Sequence, residues 1–159
     1  METTFPAPLP AALPSFTTPE AITDTLHRAV LAFDTADRSL LESSFLSDAV
    51  FDLDGRVMNG MDEARTQCFD IVSKLDTTHF VSNVRIDYVE GASTASMTAS
   101  ALSQHYRPNT GKTPGATNFM GGSLYYLDVV RDTDGLWKIK TWRMKLIWTT
   151  GDVGVMTGD

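Results

Sequence analysis

The sequence predicts an α+β fold, with helices first and a run of long strands after them. Apolar residues recur at helical spacing only in the first half of the chain. From Thr78 onward the character changes, and four long segments rich in β-branched and aromatic residues follow, bounded mostly by Gly, Asp or Pro turns. The scale is that of one domain, because 159 residues with 42% hydrophobic content suffice for a single real core and not for two. In such a pattern the helices cover one face of a strongly curved sheet, and the curl leaves a pocket between the two layers.

Residues 1–18, METTFPAPLPAALPSFTT, carry four prolines and no basic residue. They read as a flexible Pro-rich arm and lack the charged start and apolar core of a secretion signal. Thr18 before Pro19-Glu20 marks a helix start, with a hydroxyl cap, proline at the first helical position and an acid in the positive first turn. Ile22, Leu26, Ala29, Val30 and Phe33 then lay one helix face on a core. A second short helix follows, with Leu40, Leu41 and Phe45 as its apolar side and Asp37 as its cap.

AVFDLDGRVMNG, residues 49–60, has Asp54-Gly55 between two strand-like runs and suits a hairpin with a type I′ turn. Ala64, Cys68, Ile71, Val72 and Leu75 mark a further amphipathic helix over 61–75. The segments HFVSNVRIDYVEG, STASMTASALSQHYRP, NFMGGSLYYLDVVRDTDG and LWKIKTWRMKLIWTTGD should pair as an antiparallel meander. The connection RPNTGKTPGAT, residues 107–117, is expected to be an exposed, mobile flap. The domain is thus drawn over 19–150, with 151–159 as a C-terminal tail.

Composition removes several function classes. Twenty acids against thirteen bases give a net charge of -7 without any Lys/Arg cluster, so no nucleic-acid partner is expected. No apolar run reaches the length of a membrane-spanning helix. The lone Cys68 has no internal disulfide partner, and no CxxC or His-rich tract is present. A reducing, cytoplasmic setting fits that usage.

Three histidines occur, and they are not alike. His27 sits among Thr25, Leu26 and Arg28 and reads as a surface residue. His79 opens a strand and His105 closes the next. A turn near Gly91-Ala92 sets them opposite one another within a residue, at the same end of one hairpin. In phase with His105 run Ala95, Met97, Ala99, Ala101 and Ser103, mostly small, which leaves room for a packed helix or for a ligand.

A neutral histidine moves protons best near pH 7, and a carboxylate behind it fixes its tautomer and stabilises the imidazolium. Asp34 is the candidate, since it follows Leu26 and Val30 at i+4 spacing on the core side of the first helix, where an unpaired carboxylate would be costly. Nucleophilic catalysis finds little support. Cys68 lies on an apolar stripe, and neither a GxSxG elbow nor a GxxxxGK[ST] loop occurs. His79, His105 and Asp34 carry no recognised ligand spacing, so neither a metal nor a cofactor is expected.

These residues resemble the SnoaL-like branch of the nuclear transport factor 2-like superfamily, and within it the scytalone dehydratase and fungal SnoaL-like proteins. The resemblance runs from about Ile22 to Trp148. It is carried by Phe33-Asp34-Thr35-Ala36-Asp37 at a helix end, by the strand THFVSNVRID that opens with His79, and by the late strand DGLWKIKTW. It implies a cone-shaped, curved mixed sheet wrapped around the N-terminal helices. It also implies a proton-transfer pair of Asp34 and His79, with His105 completing the site. Two departures accompany it: the dehydratase has Tyr where this chain has Phe33, and the Ser and Asn of the third strand are replaced around Leu124 to Tyr126.

The expected activity is a cofactor-independent dehydratase or isomerase of a small polyketide- or terpenoid-like ketone. His79 would remove a proton next to a carbonyl and His105 would protonate the departing hydroxyl. Phe33, Asn118, Tyr125, Tyr126, Trp142 and Arg143 are the candidates for holding the substrate. A cyclase or skeletal isomerase using the same pair is the alternative enzyme. A non-catalytic ligand-binding or interaction module is the alternative class, with Trp142, Met144 and Trp148 available to an interface in a homodimer or homotrimer.

Overall fold

The structure, a computed structural model, describes residues 9–158. The first eight residues of the expected Pro-rich arm lie outside that range. Helix α1 spans Thr18–Thr35 and starts one residue earlier than the sequence suggests, because Thr17 is its cap. The Glu20 backbone N–H donates to Thr17 Oγ1, while the Glu20 carboxylate accepts from the Thr17 backbone N–H at 2.7 Å, a complete capping box. The helix ends where Ala36 turns left-handed, at φ 54°. Asp37 then caps helix α2, Arg38–Ser44, by accepting from the Leu40 N–H at 2.9 Å.

Strands β1, Phe45–Leu53, and β2, Arg56–Asn59, form the expected hairpin. Asp54 at φ 53° and Gly55 at φ 92° both lie in the left-handed region, as a type I′ turn requires. Helix α3 covers 61–72 as Met61–Ala64, a π-helical turn at Arg65–Phe69 and Asp70–Val72, ending three residues short of the expected 75. The four long strands follow as β3 (Asp76–Tyr88), β4 (Thr94–Tyr106), β5 (Asn118–Arg131) and β6 (Trp137–Gly151). A short helix α4, Gly154–Thr157, closes the described chain.

The sheet order is β2-β1-β6-β5-β4-β3. The last four strands form the antiparallel meander, while β1 joins β6 in parallel and makes the sheet mixed. Register shifts occur in β3 between Ser82 and Arg85, and in the β5/β6 ladder beside Ser123 and Val129. Such bulges bend strands and sharpen the local twist. They curl the sheet around α1, whose Ile22, Leu26, Ala29, Val30 and Phe33 are buried against its inner face. Arg28, also buried, donates to the Ser43 and Trp137 carbonyl oxygens and pairs with Asp24, which ties α1 to α2 and to the start of β6.

Alternation sorts the strands into two faces. In β4, Ala95, Met97, Ala99, Ala101 and His105 are buried on the inner face, which Ser103 shares at the cavity wall, and the alternate residues point outward. The outer face leaves Phe80, Tyr126 and Trp148 exposed, with the Trp148 ring lying over Gly122. The 107–117 connection is less free than expected of a flap. The Asp76 carboxylate accepts from the backbone N–H groups of Asn109 and Gly111, at 3.1 and 2.8 Å, and holds the loop against the end of β3.

Of the expected tail, 151–159, residues 151–158 are described, and they fold back onto the strand ends. Gly151 has φ +91°, and a Cβ there would collide with the Asn118 carbonyl oxygen. The next residue, Asp152, donates its N–H to that oxygen at 2.8 Å, and the chain then turns so that Val155 is buried. Gly151→Ala is therefore expected to cost about 2 kcal/mol through backbone strain and displacement of this segment. The shift in the urea midpoint measures it, and an unaltered midpoint would mean that the segment moves aside freely.

Candidate active site

The inner faces of β1 and of β3 to β6, together with α1, α3 and α4, line a cavity of about 160 Å³. An apolar cavity of ~150 Å³ holds one benzene, so a single substituted ring is the scale of ligand that fits. Its walls are mostly aromatic and aliphatic, with His79, His105, Ser103, Ser123 and Tyr125 as the principal polar groups.

Asp34 lies in the last turn of α1, where a carboxylate opposes the helix dipole. It is held there by His79: its Oδ2 accepts from the His79 backbone N–H at 2.9 Å and its Oδ1 meets His79 Nδ1 at 2.6 Å. One carboxylate thus fixes both the backbone and the ring of the same histidine. A carboxylate accepts, so His79 donates from Nδ1, and Nε2 is the nitrogen left for the cavity. The Phe33 ring packs beside the pair, 6.0 Å from His79 and edge-on to Phe69 at 5.3 Å.

His105 faces His79 edge-on with ring centroids 5.5 Å apart. The register differs from the expected one: Thr77 pairs with His105, and His79 with Ser103. The Tyr88–Ala95 pairing beside the turn and the bulge at Asn83 and Val84 each move the partner by one residue, two in all. An even shift keeps the same face, so both imidazoles still meet. His105 is buried against Phe119, and its Nδ1 lies 2.7 Å from Thr77 Oγ1. Burial, reinforced by the neighbouring His79 and partly offset by Asp34, pushes its pKa down to about 4.

Of the six residues expected to hold substrate, Phe33, Tyr125 and Trp142 line the cavity. The others do not: Tyr126 and Arg143 pair across β5 and β6 on the outer face, and Asn118 bonds to Gln104 and Ala116 at the strand end. Strand phase decides this, since neighbours along a strand point to opposite faces. Trp142 and Met144 belong to the cavity, so of the three residues offered for an interface only Trp148 is on the exposed face. Among the described residues, Trp142 Nε1 is the one buried side-chain polar atom with no hydrogen-bond partner.

Cys68 lies in the π-turn of α3 and lines the cavity, where burial pushes its thiol up to about 12. It contributes bulk and not a thiolate. Tyr125 is likewise pushed up by burial and keeps its hydroxyl proton. Thr77, Ser123 and Met156 were not anticipated. Ser123 and Tyr125 face inward on either side of Leu124, so the polar group on this strand was sought one residue too late. Thr77 is in phase with His79, a signal present in the sequence, whereas Met156 reaches the cavity only through the turn at Gly151. Among the described residues no cluster of three His, Cys, Asp or Glu is spaced to hold a metal ion, and no helix is long and apolar enough to cross a membrane.

The chain belongs to the SnoaL-like domain family, which residues 15–143 match. It is 45% identical over 149 residues to terrestric acid biosynthesis cluster protein E of Penicillium crustosum, covering 92% of this chain and 95% of that one. Among solved structures it is similar to a protein of Novosphingobium aromaticivorans provisionally assigned as a scytalone dehydratase, at TM-score 0.70 and 22% identity over 83% of this chain and 85% of that one. It is also similar to the hexachlorocyclohexane dehydrochlorinase LinA type 3 of Novosphingobium barchaimii, at TM-score 0.67 and 20% identity over 85% and 90% of the two chains. The structural likenesses establish the nuclear transport factor 2-like fold.

Proposed function

We propose that this protein is a secondary-metabolite tailoring enzyme that dehydrates a small, neutral hydroxy-ketone without a cofactor. The observation that carries the reading is the 2.6 Å contact between Asp34 and His79, whose ring lines a largely apolar cavity. The relative from a biosynthetic cluster supports the metabolic setting. No Lys or Arg lines the cavity, and an unpaired anionic ligand there would be costly to bury, which favours an uncharged substrate.

His79 Nε2 takes a proton from the carbon next to the carbonyl, and Asp34 stabilises the imidazolium that forms. The electron pair left behind passes into an enolate. The Tyr125 hydroxyl on the cavity wall is the donor available to its oxygen. The enolate then expels the β-hydroxyl, which leaves as water with the proton returned by His79. His105 was expected to supply that proton, but a histidine held near pKa 4 carries almost none at neutral pH. Phe33 adds apolar surface where a tyrosine would add a hydroxyl, which supports a substrate other than scytalone.

The test is product mass. Purified protein mixed with an extract from a strain lacking its gene should consume one compound and form another lighter by one water, and His79→Ala protein should do neither. Equal masses would replace dehydration by isomerisation or cyclisation. No His79-dependent change would favour a binding module.

A further inference from the structure

Thr77 decides what His105 offers to the cavity. Its side-chain oxygen lies between two groups, the Gln104 carbonyl oxygen at 3.1 Å and His105 Nδ1 at 2.7 Å. A carbonyl oxygen only accepts, and a threonine hydroxyl has one hydrogen to give. Only one arrangement puts a hydrogen into both contacts: Thr77 donates to Gln104, and His105 Nδ1–H donates to Thr77. The reverse would leave two oxygens facing each other with no hydrogen between them. His105 is thus protonated on Nδ1, and Nε2 turns a bare lone pair to the cavity.

His79 has the same polarity, since its Nδ1–H is given to Asp34. The resting cavity therefore presents two imidazole acceptors with centroids 5.5 Å apart. Burial keeps His105 in this neutral form. We infer that Thr77 is a positioning residue that locks His105 as a hydrogen-bond acceptor, and that the substrate is a neutral molecule presenting a hydroxyl to His105 Nε2 while its acidic C–H faces His79. The substrate half of this inference rests on the proposed role of His79. The tautomer does not, because it belongs to the ligand-free protein.

The experiment uses ¹⁵N-labelled full-length protein, with Thr77→Val and Thr77→Ser beside the wild type. Valine keeps the β-branch that suits a strand but removes the acceptor, and serine restores it. Nitrogen shifts should give His105 protonated on Nδ1 in the wild type and in Thr77→Ser, and on Nε2 in Thr77→Val. Phenol and toluene, close in size and differing in one donor, are then titrated into each protein. Phenol should move the His105 Nε2 resonance of the wild type, and Thr77→Val should weaken phenol roughly fivefold while leaving toluene unchanged. A wild-type His105 protonated on Nε2, or phenol binding indifferent to Thr77→Val, overturns the inference. Neither measurement needs turnover, so failure here is distinct from failure of the dehydratase reading, which His79→Ala and product mass decide.

Discussion

Asp34→Asn is expected to lower turnover by roughly 10²- to 10⁴-fold, the range that general acid–base groups supply, while leaving the fold intact. The reason is that both carboxylate oxygens are used, one on His79 Nδ1 and one on the His79 backbone N–H. An asparagine has one oxygen and one NH₂, so it can satisfy only one of these donors. With the oxygen on the backbone, the NH₂ faces Nδ1 and draws the ring into the tautomer whose Nε2 is already protonated. With the oxygen on Nδ1, the NH₂ meets the backbone N–H and pushes the strand away. The first outcome removes the base and the second moves it out of position. His79→Ala should fall in the same range, and thermal unfolding of both variants checks that the domain survives. Near-normal turnover in either variant would sink the mechanism.

The second large effect is on stability. His105 has a folded pKa near 4 against a usual 6.5, so between those pH values the unfolded chain binds more protons than the folded one. Its contribution to stability is complete above about pH 6.5 and is lost as the pH falls toward 4. The shift corresponds to about 3 kcal/mol over the window. Urea unfolding from pH 7 to pH 4.5 should record this decline in the wild type and a clearly flatter profile in His105→Gln, which does not titrate. Parallel profiles would mean that the buried environment of His105 does not hold its proton off.

Much of the site was legible because it is carried by local rules. Asp34 stands at a core position of a helix, His79 opens a strand, and Asp37 is explained as a cap once the helix after it is recognised. The pairing of the two histidines was legible in kind and wrong in detail. A hairpin turn fixes the register, but the bulge at Asn83 and Val84 is a backbone choice that no side-chain pattern announces. The two-residue error was harmless because the period of a strand is two. The single-residue errors were not. Tyr126 and Arg143 were assigned to a face that they do not share, while Ser123 and Thr77 were passed over.

By itself the sequence determined the order of helices before strands, the apolar stripe of α1, the start of α1 to within one residue, the Asp37 cap of α2, and the presence of one acid and two histidines of the kinds that transfer protons. These follow from periodicity and from side-chain chemistry, which act within a few residues. The tertiary structure alone decided which hydroxyl stands behind His105, which indole N–H lacks a partner, and how the final turn at Gly151 carries Met156 to the cavity. Each depends on residues far apart in the chain, joined by strand register and bulges, and such contacts are fixed only when the sheet curls around the helix.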